Sequence, residues 1–142
     1  MTIACFDSSA FVKLLVEEPG SELAEQLWNG ADTVAASRLA LPEVSAALSA
    51  ARRTGRIDES SELAARRAWS TYWAATDVVE LTAAVATNAA DLARRLLLGG
   101  ADAVHLASAR TLTNGDPILV SWDRRLSAAA LDAGLSVAPS DF

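Results

Sequence analysis

Four acidic residues, Asp7, Glu43, Asp102 and Asp123, stand where their type and neighbours could do chemistry. Asp7 directly follows the apolar run Thr2 to Phe6, and Asp123 directly follows Ile118 to Trp122. Open parallel α/β sheets bind ligands at the carboxyl ends of their strands, so an acid at such a position has a functional reading. Taken alone, each is equally a helix cap, because aspartate accepts amide hydrogen bonds at a helix amino terminus.

Glu43 lies three or four residues from Leu39, Ala46 and Ala47, with Ala50 one turn further, which sets it on a stripe of small apolar residues. That pattern predicts a buried glutamate, costly unless it is paired with a cation such as Arg38 or bound to metal. Asp102 opens the helical segment GADAVHLASA and could simply cap it. His105, the only histidine, follows one turn later on the same side. It reads as a hydrogen-bonded core residue and is given no role as a base.

If the four carboxylates converge, each close pair repels by about 4 kcal/mol at 4 Å and an effective dielectric near 20. Such a cluster needs a cation. All-oxygen ligation suits Mg²⁺ or Mn²⁺, and with one cysteine and one histidine there is no ligand pair for Zn²⁺. Hard metals held by carboxylates typically serve phosphate chemistry, activating water and neutralising charge on phosphoryl oxygens.

The elements that must position these acids alternate between strand and helix. Strands are expected at Thr2 to Phe6, Thr33 to Ala36, Asp77 to Leu81, Ile118 to Trp122 and Leu135 to Ala138. A helix from Phe11 to Val16 ends at Pro19-Gly20. A second is capped by Ser21 and ends at Asn29-Gly30. A third, capped by Ser37, runs from Arg38 to about Arg53 with Pro42 near its first turn.

A fourth helix, from Asp58 to about Ala75, carries Ala65, Trp69 and Trp73 four residues apart, an aromatic stripe suited to core or dimer surface. A fifth has Leu81, Val85, Ala89, Leu92 and Leu96 on one face and ends at Gly99-Gly100. Helices from Ala101 to about Leu112 and from Leu126 to Ala133 complete the set, with a turn at Asn114-Gly115-Asp116-Pro117. This alternation predicts an α/β fold, a three-layer α/β/α domain around a mainly parallel sheet.

At 142 residues the chain fits a single domain, 1–142, and 51% apolar with 21% charged residues excludes a disordered chain. No run of about 18 uncharged apolar residues offers a membrane span. The start MTIACF has no basic region or cleavage site, so no signal peptide is expected. Cys5 has no second cysteine to pair with, consistent with a reducing cytoplasm. The net charge of −6 argues against polyanion binding by overall field, so any nucleic-acid contact must be local. Of the 12 basic residues all but Lys13 are arginine, several in pairs at 52–53, 66–67, 94–95 and 124–125, suited to bidentate phosphate contacts or to a solvated helix face.

The segments FDSSAFVKLLVEEPGSE, SRLALPEVSAAL, GADAVHLASA and LVSWDRRL, in that order, resemble a PIN domain of the VapC toxin type, over essentially the whole chain. The resemblance implies a homodimeric endoribonuclease that cleaves RNA with Mg²⁺ or Mn²⁺. Asp7, Glu43, Asp102 and Asp123 match the family's acidic quartet. Asp7 and Asp102 would then be direct metal ligands, Glu43 and Asp123 direct or through water, and Ser121 a hydroxyl supporting them. It also implies a small cognate antitoxin that represses the operon through its own DNA-binding part, with no DNA binding by this chain, and whose tail occupies the toxin groove. An acidic toxin suits a basic tail.

Two other readings each lack a required group. A phosphatase of the haloacid dehalogenase type needs a second aspartate where Ser9 stands, and a phosphoacceptor receiver needs a lysine after a late strand, whereas the only lysine is Lys13. The alternative outside enzymes is a catalytically silent PIN-like scaffold that binds RNA or a protein partner, which a lost acid would favour; none is lost. The residues that bind substrate and the RNA target are not legible, since specificity depends on groove shape and loop contacts.

Overall fold

The computed structural model describes residues 1–112 and 115–141. Along the chain these form β1 (Ile3–Phe6), α1 (Ser8–Leu15), α2 (Ser21–Gly30), β2 (Thr33–Ser37), α3 (Ala40–Arg53) and α4 (Glu59–Ala74). Then follow β3 (Asp77–Val79), α5 (Ala83–Leu96), α6 (Gly100–Arg110), β4 (Ile118–Val120), α7 (Arg124–Asp132) and β5 (Ser136–Ala138). The strands make one sheet in the order β3-β2-β1-β4-β5, and every pairing is parallel.

A strand covered on both faces reads as continuous apolar sequence, and all four residues of β1 are buried. Successive side chains of a strand point to opposite faces, which builds two cores from one sheet. Ala4, Phe6, Val34, Ala36 and Val120 meet Ala10, Phe11, Val44, Leu48 and Trp69 from α1, α3 and α4. Cys5 and Leu119 meet Val85, Leu92, Leu106 and Leu126 from α5, α6 and α7. The three-layer α/β/α fold expected from the alternation is therefore present.

The aromatic stripe of α4 faces this first core. Trp69 is buried, with its ring 4.8 Å from Phe11 and 5.3 Å from Trp73, and Tyr72 stands edge-on to Trp28 at 4.9 Å. The aromatic area that the sequence offered as a dimer surface is thus engaged largely within the chain.

Several local expectations are corrected. Ser21 does not cap α2; it is the first helical residue, behind Gly20 at φ 102°, and its hydroxyl accepts from Glu18 N–H and donates to Val16 C=O. Ser37 ends β2, and Leu39 holds the cap position of α3, although the Ser37 hydroxyl does accept the Leu39 N–H. Leu81 is exposed and outside α5, which Thr82 caps. That helix stops at Leu97 in the left-handed region, while Gly99 and Gly100 begin α6. Strands β3 and β4 are two residues shorter than read, because the chain turns at Glu80 and at Ser121. The expected turn at 114–117 begins at a residue outside those described.

Candidate active site

From β1 the chain steps to β2 and β3 on one side of the sheet, then crosses to β4 and β5 on the other. Neighbouring strands β1 and β4 therefore send their connections in opposite directions, and a crevice opens at their carboxyl ends. Asp7 ends β1 at this point, and Ser121 to Asp123 end β4.

Asp7 and Asp123 are both helix caps and site residues. Asp7 Oδ1 accepts the Ala10 N–H at 3.0 Å at the start of α1, and Asp123 Oδ1 accepts the Leu126 N–H at 3.0 Å at the start of α7. The sequence posed capping and chemistry as alternatives; the structure shows both residues capping, and a cap bond uses one lone pair of a carboxylate that has about four, which leaves the others free for chemistry. Asp7 is 4% exposed. Burial pushes its pKa up, against the opposing pull of hydrogen bonds from Ser121 and Ser9, the His105 charge and the Ala10 amide.

Two serines tie these turns together. Ser9 Oγ donates to Asp7 Oδ1 at 2.6 Å and accepts the Trp122 N–H at 2.9 Å. Ser121 Oγ donates to Asp7 Oδ2 at 2.6 Å and accepts the Asp123 N–H at 3.0 Å. Each hydroxyl gives its proton to the acid of one strand end and takes an amide proton from the other, so both are fully used while buried or nearly so.

Glu43 departs from expectation in depth and partner. The buried face of α3 is Ala40, Val44, Leu48 and Ala51, and the Glu43 side chain lies at its margin, 33% exposed. Arg38 does not pair with it, since that guanidinium is bidentate on Glu80. Instead, Glu43 Oε1 receives Ser8 Oγ at 2.6 Å and His105 Nε2 at 2.5 Å. The His105 bond, against the cost of partial burial and with help from Ser8, holds the Glu43 pKa below the usual glutamate range.

Asp102 is not the cap of α6, a position held by Gly99; it sits in the first turn, half-buried. Burial, with the charges of Asp123, Asp7 and Glu43, raises its pKa, and His105 works the other way. All four acids therefore share one electrostatic neighbourhood, brought together from β1, α3, α6 and the end of β4. Burial would lower the His105 pKa, but the Glu43 hydrogen bond and the Asp7, Glu43 and Asp102 charges outweigh it and raise it.

The donor set is oxygen from carboxylates, which is the chemistry of a hard divalent cation. Among the described residues no three His, Cys, Asp or Glu side chains yet stand close enough to hold an ion. Each of two acids is engaged by donors of its own, Glu43 by Ser8 and His105 and Asp7 by its serines. Among the described residues Asp7 Oδ2 accepts only from Ser121, which leaves it a lone pair. By donor type the four carboxylates fit Mg²⁺ or Mn²⁺.

Sequence reasoning undervalued three residues. Ser8 and Ser9 carry a signal in hindsight, as hydroxyls directly behind a strand-end aspartate. His105 has one too, lying three residues beyond Asp102 and so on the same helix face. It is a core residue, 4% exposed, and also part of the site.

Residues 4–131 match the PIN domain family. The chain is 56% identical over 144 aligned positions to ribonuclease VapC45 and likewise to ribonuclease VapC49, both of Mycobacterium tuberculosis, covering 100% of this chain and 99% of each relative. Among solved structures, PAE2754 from Pyrobaculum aerophilum has a TM-score of 0.71 at 22% identity, covering 96% of this chain and 92% of that one. VapBC2 from Rickettsia felis, bound to a DNA fragment from its promoter, has a TM-score of 0.66 at 15% identity, covering 95% and 96%. These two share the fold. With the family pattern running through both cores and all four acids, the chain belongs to the PIN domain family, and within it to the VapC type.

Proposed function

We propose that the chain is a metal-dependent endoribonuclease that hydrolyses RNA phosphodiester bonds, the toxin of a toxin-antitoxin pair. The observation that carries this reading is the meeting of Asp7, Glu43, Asp102 and Asp123 at the strand switch point, in a chain 56% identical end to end to proteins named as ribonucleases. Asp7 and Asp102 would hold Mg²⁺ or Mn²⁺ directly, with Glu43 and Asp123 direct or through water. The ion supplies an activated water and neutralises charge on the phosphoryl oxygens. Ser9 and Ser121 fix the Asp7 carboxylate, and the first turn of α6 carries Asp102 toward it.

RNA approach must be local, because the chain is acidic overall. Arg94 and Arg95 are taken up by Asp91, and Arg66 by Glu62, Ser45 and Ser49. Arg125 is exposed in the first turn of α7, two residues behind Asp123, and is placed to meet a phosphate. A small antitoxin with a basic tail is the natural partner for this acidic surface, the chain itself acts as a homodimer in the cytoplasm, and DNA binding belongs to the antitoxin. Solved relatives of the fold include toxin-antitoxin complexes, among them one from Klebsiella pneumoniae. No helix among the described residues is long and apolar enough to cross a membrane.

The test is cleavage of structured and unstructured RNAs by the pure protein in Mg²⁺, Mn²⁺ or EDTA. Cutting in either metal that stops in EDTA is expected, and cutting that persists unchanged in EDTA overturns the mechanism.

A further inference from the structure

The two hydrogen bonds on Glu43 come from different elements, and both fall on the same oxygen. Ser8 Oγ, from the first residue of α1, and His105 Nε2, from the second turn of α6, meet at Oε1, and Oε2 carries neither. A glutamate at the margin of a helix has three rotatable bonds and, with its side chain 33% exposed, room to swing into solvent. Repulsion from Asp102 opposes holding it in place. His105 has no such freedom, since its side chain is 5% exposed and held within the packing of α6.

The helix that carries Asp102 thus also carries the donor that holds Glu43 beside it, three residues further on the same face. The bond needs only an Nε2–H, which the Nε2–H neutral tautomer and the imidazolium both provide. Ser8 adds a second, shorter-reaching donor from the turn that Asp7 caps, 3.4 Å from the same imidazole nitrogen.

We propose that His105, with Ser8, is the positioning residue of this site: it clamps Oε1 of Glu43 and so fixes that carboxylate where, with Asp102, it would serve a divalent cation. The proposal rests on the metal-site reading above and adds to it a residue with no place in the acidic quartet. His105 touches neither metal nor RNA in this scheme and acts only through Glu43. Partners of this kind that orient a ligand typically change metal affinity about 10- to 100-fold when removed.

The experiment is a titration of Mn²⁺ into the purified protein without RNA, following the free ion by its electron paramagnetic resonance signal. Wild type, His105→Leu, His105→Gln, Ser8→Ala and Asp102→Asn are compared, with circular dichroism melting on each. His105→Leu removes the donor at a buried position, and His105→Gln puts an amide N–H near the place of Nε2. The proposal expects Mn²⁺ affinity to fall about tenfold or more in His105→Leu, to recover largely in His105→Gln, and to fall by a smaller factor in Ser8→Ala.

Ser8→Ala leaves the core intact, so it keeps the test open should His105→Leu not fold. In that case unchanged Mn²⁺ affinity in a folded Ser8→Ala overturns the clamp. Wild-type affinity in a folded His105→Leu, or a His105→Gln as weak as His105→Leu, overturns it alone. Absence of Mn²⁺ binding by the wild type, matching Asp102→Asn, overturns the clamp and the metal site together.

Discussion

Ser121 Oγ donates a 2.6 Å hydrogen bond to Oδ2 of Asp7, 114 positions away in the chain, while accepting the amide proton of Asp123 at 3.0 Å. One buried hydroxyl therefore joins the two strand ends that flank the crevice and fixes the acid of one to the backbone beneath the acid of the other.

Removing that hydroxyl leaves a buried carboxylate oxygen and an amide without their partner. Ser121→Ala is expected to cost roughly 1 to 3 kcal/mol of stability, read by denaturant unfolding, and to lower RNA cleavage because Asp7 loses one of its anchors. A variant with wild-type unfolding midpoint and wild-type cleavage would show that the hydroxyl holds nothing in place.

Asp7→Asn separates capping from metal binding, and Asp102→Asn tests an acid that caps no helix. Asparagine caps a helix about as well as aspartate, so α1 keeps its cap in Asp7→Asn, whereas a neutral amide is a poor ligand for a hard cation. RNA cleavage is expected to fall by orders of magnitude in both. In EDTA the melting temperature is expected to hold or rise. Because burial raises the Asp7 pKa in the folded state, its ionisation opposes folding. That penalty is absent below the unfolded carboxylate pKa and complete only above the raised folded one. The gain in Asp7→Asn should accordingly shrink as pH falls through the raised folded-state pKa and vanish below the unfolded one. Full activity in both variants, or a melting loss in EDTA that accounts for inactivity, would refute the assignment.

Trp69 packs on Phe11 and Trp73 within the chain. Trp69→Ala should cost about 3 to 5 kcal/mol, at every protein concentration, which equilibrium unfolding at two concentrations checks. A cost that vanishes on dilution would return this tryptophan to an interface. Light scattering on the wild type tests the proposed homodimer separately, and a monomer at working concentration would exclude it.

Burial, with a contribution from the Asp7 charge, pushes the Cys5 thiol up to about 12. The thiolate is the nucleophile, so Cys5 should resist a disulfide reagent at pH 8 in the native state and react at once in denaturant. Fast native reaction would mean that β1 opens readily.

The order of strands and helices was legible because each buried strand is a short apolar run and each helix repeats at 3.6 residues, signals that neighbours in sequence carry by themselves. The acids at strand ends were legible for the same reason, Asp7 behind IACF and Asp123 close behind ILV. Capping at Ser21 and Ser37, the face of Leu81 and the end of α5 were misread, because each depends on where the chain turns after the element. The left-handed Leu97, for instance, stops a helix that the glycines behind it seemed placed to stop.

Partners across the sequence were not legible at all. Arg38 chose Glu80, 42 positions away, and Glu43 chose His105, 62 positions away, although a sequence window makes Arg38 and Glu43 look like a pair. Periodicity says which residues share a face, while the parallel sheet order and the packing of α6 against α5 and the sheet decide which faces meet. The sequence alone determined that two acids, Asp7 and Asp123, would stand at the carboxyl ends of strands in an α/β fold. Only the tertiary structure decided that Ser9 and Ser121 would lock Asp7 and that a core histidine would reach the fourth acid, because hydrogen bonds depend on distances that a linear pattern does not contain.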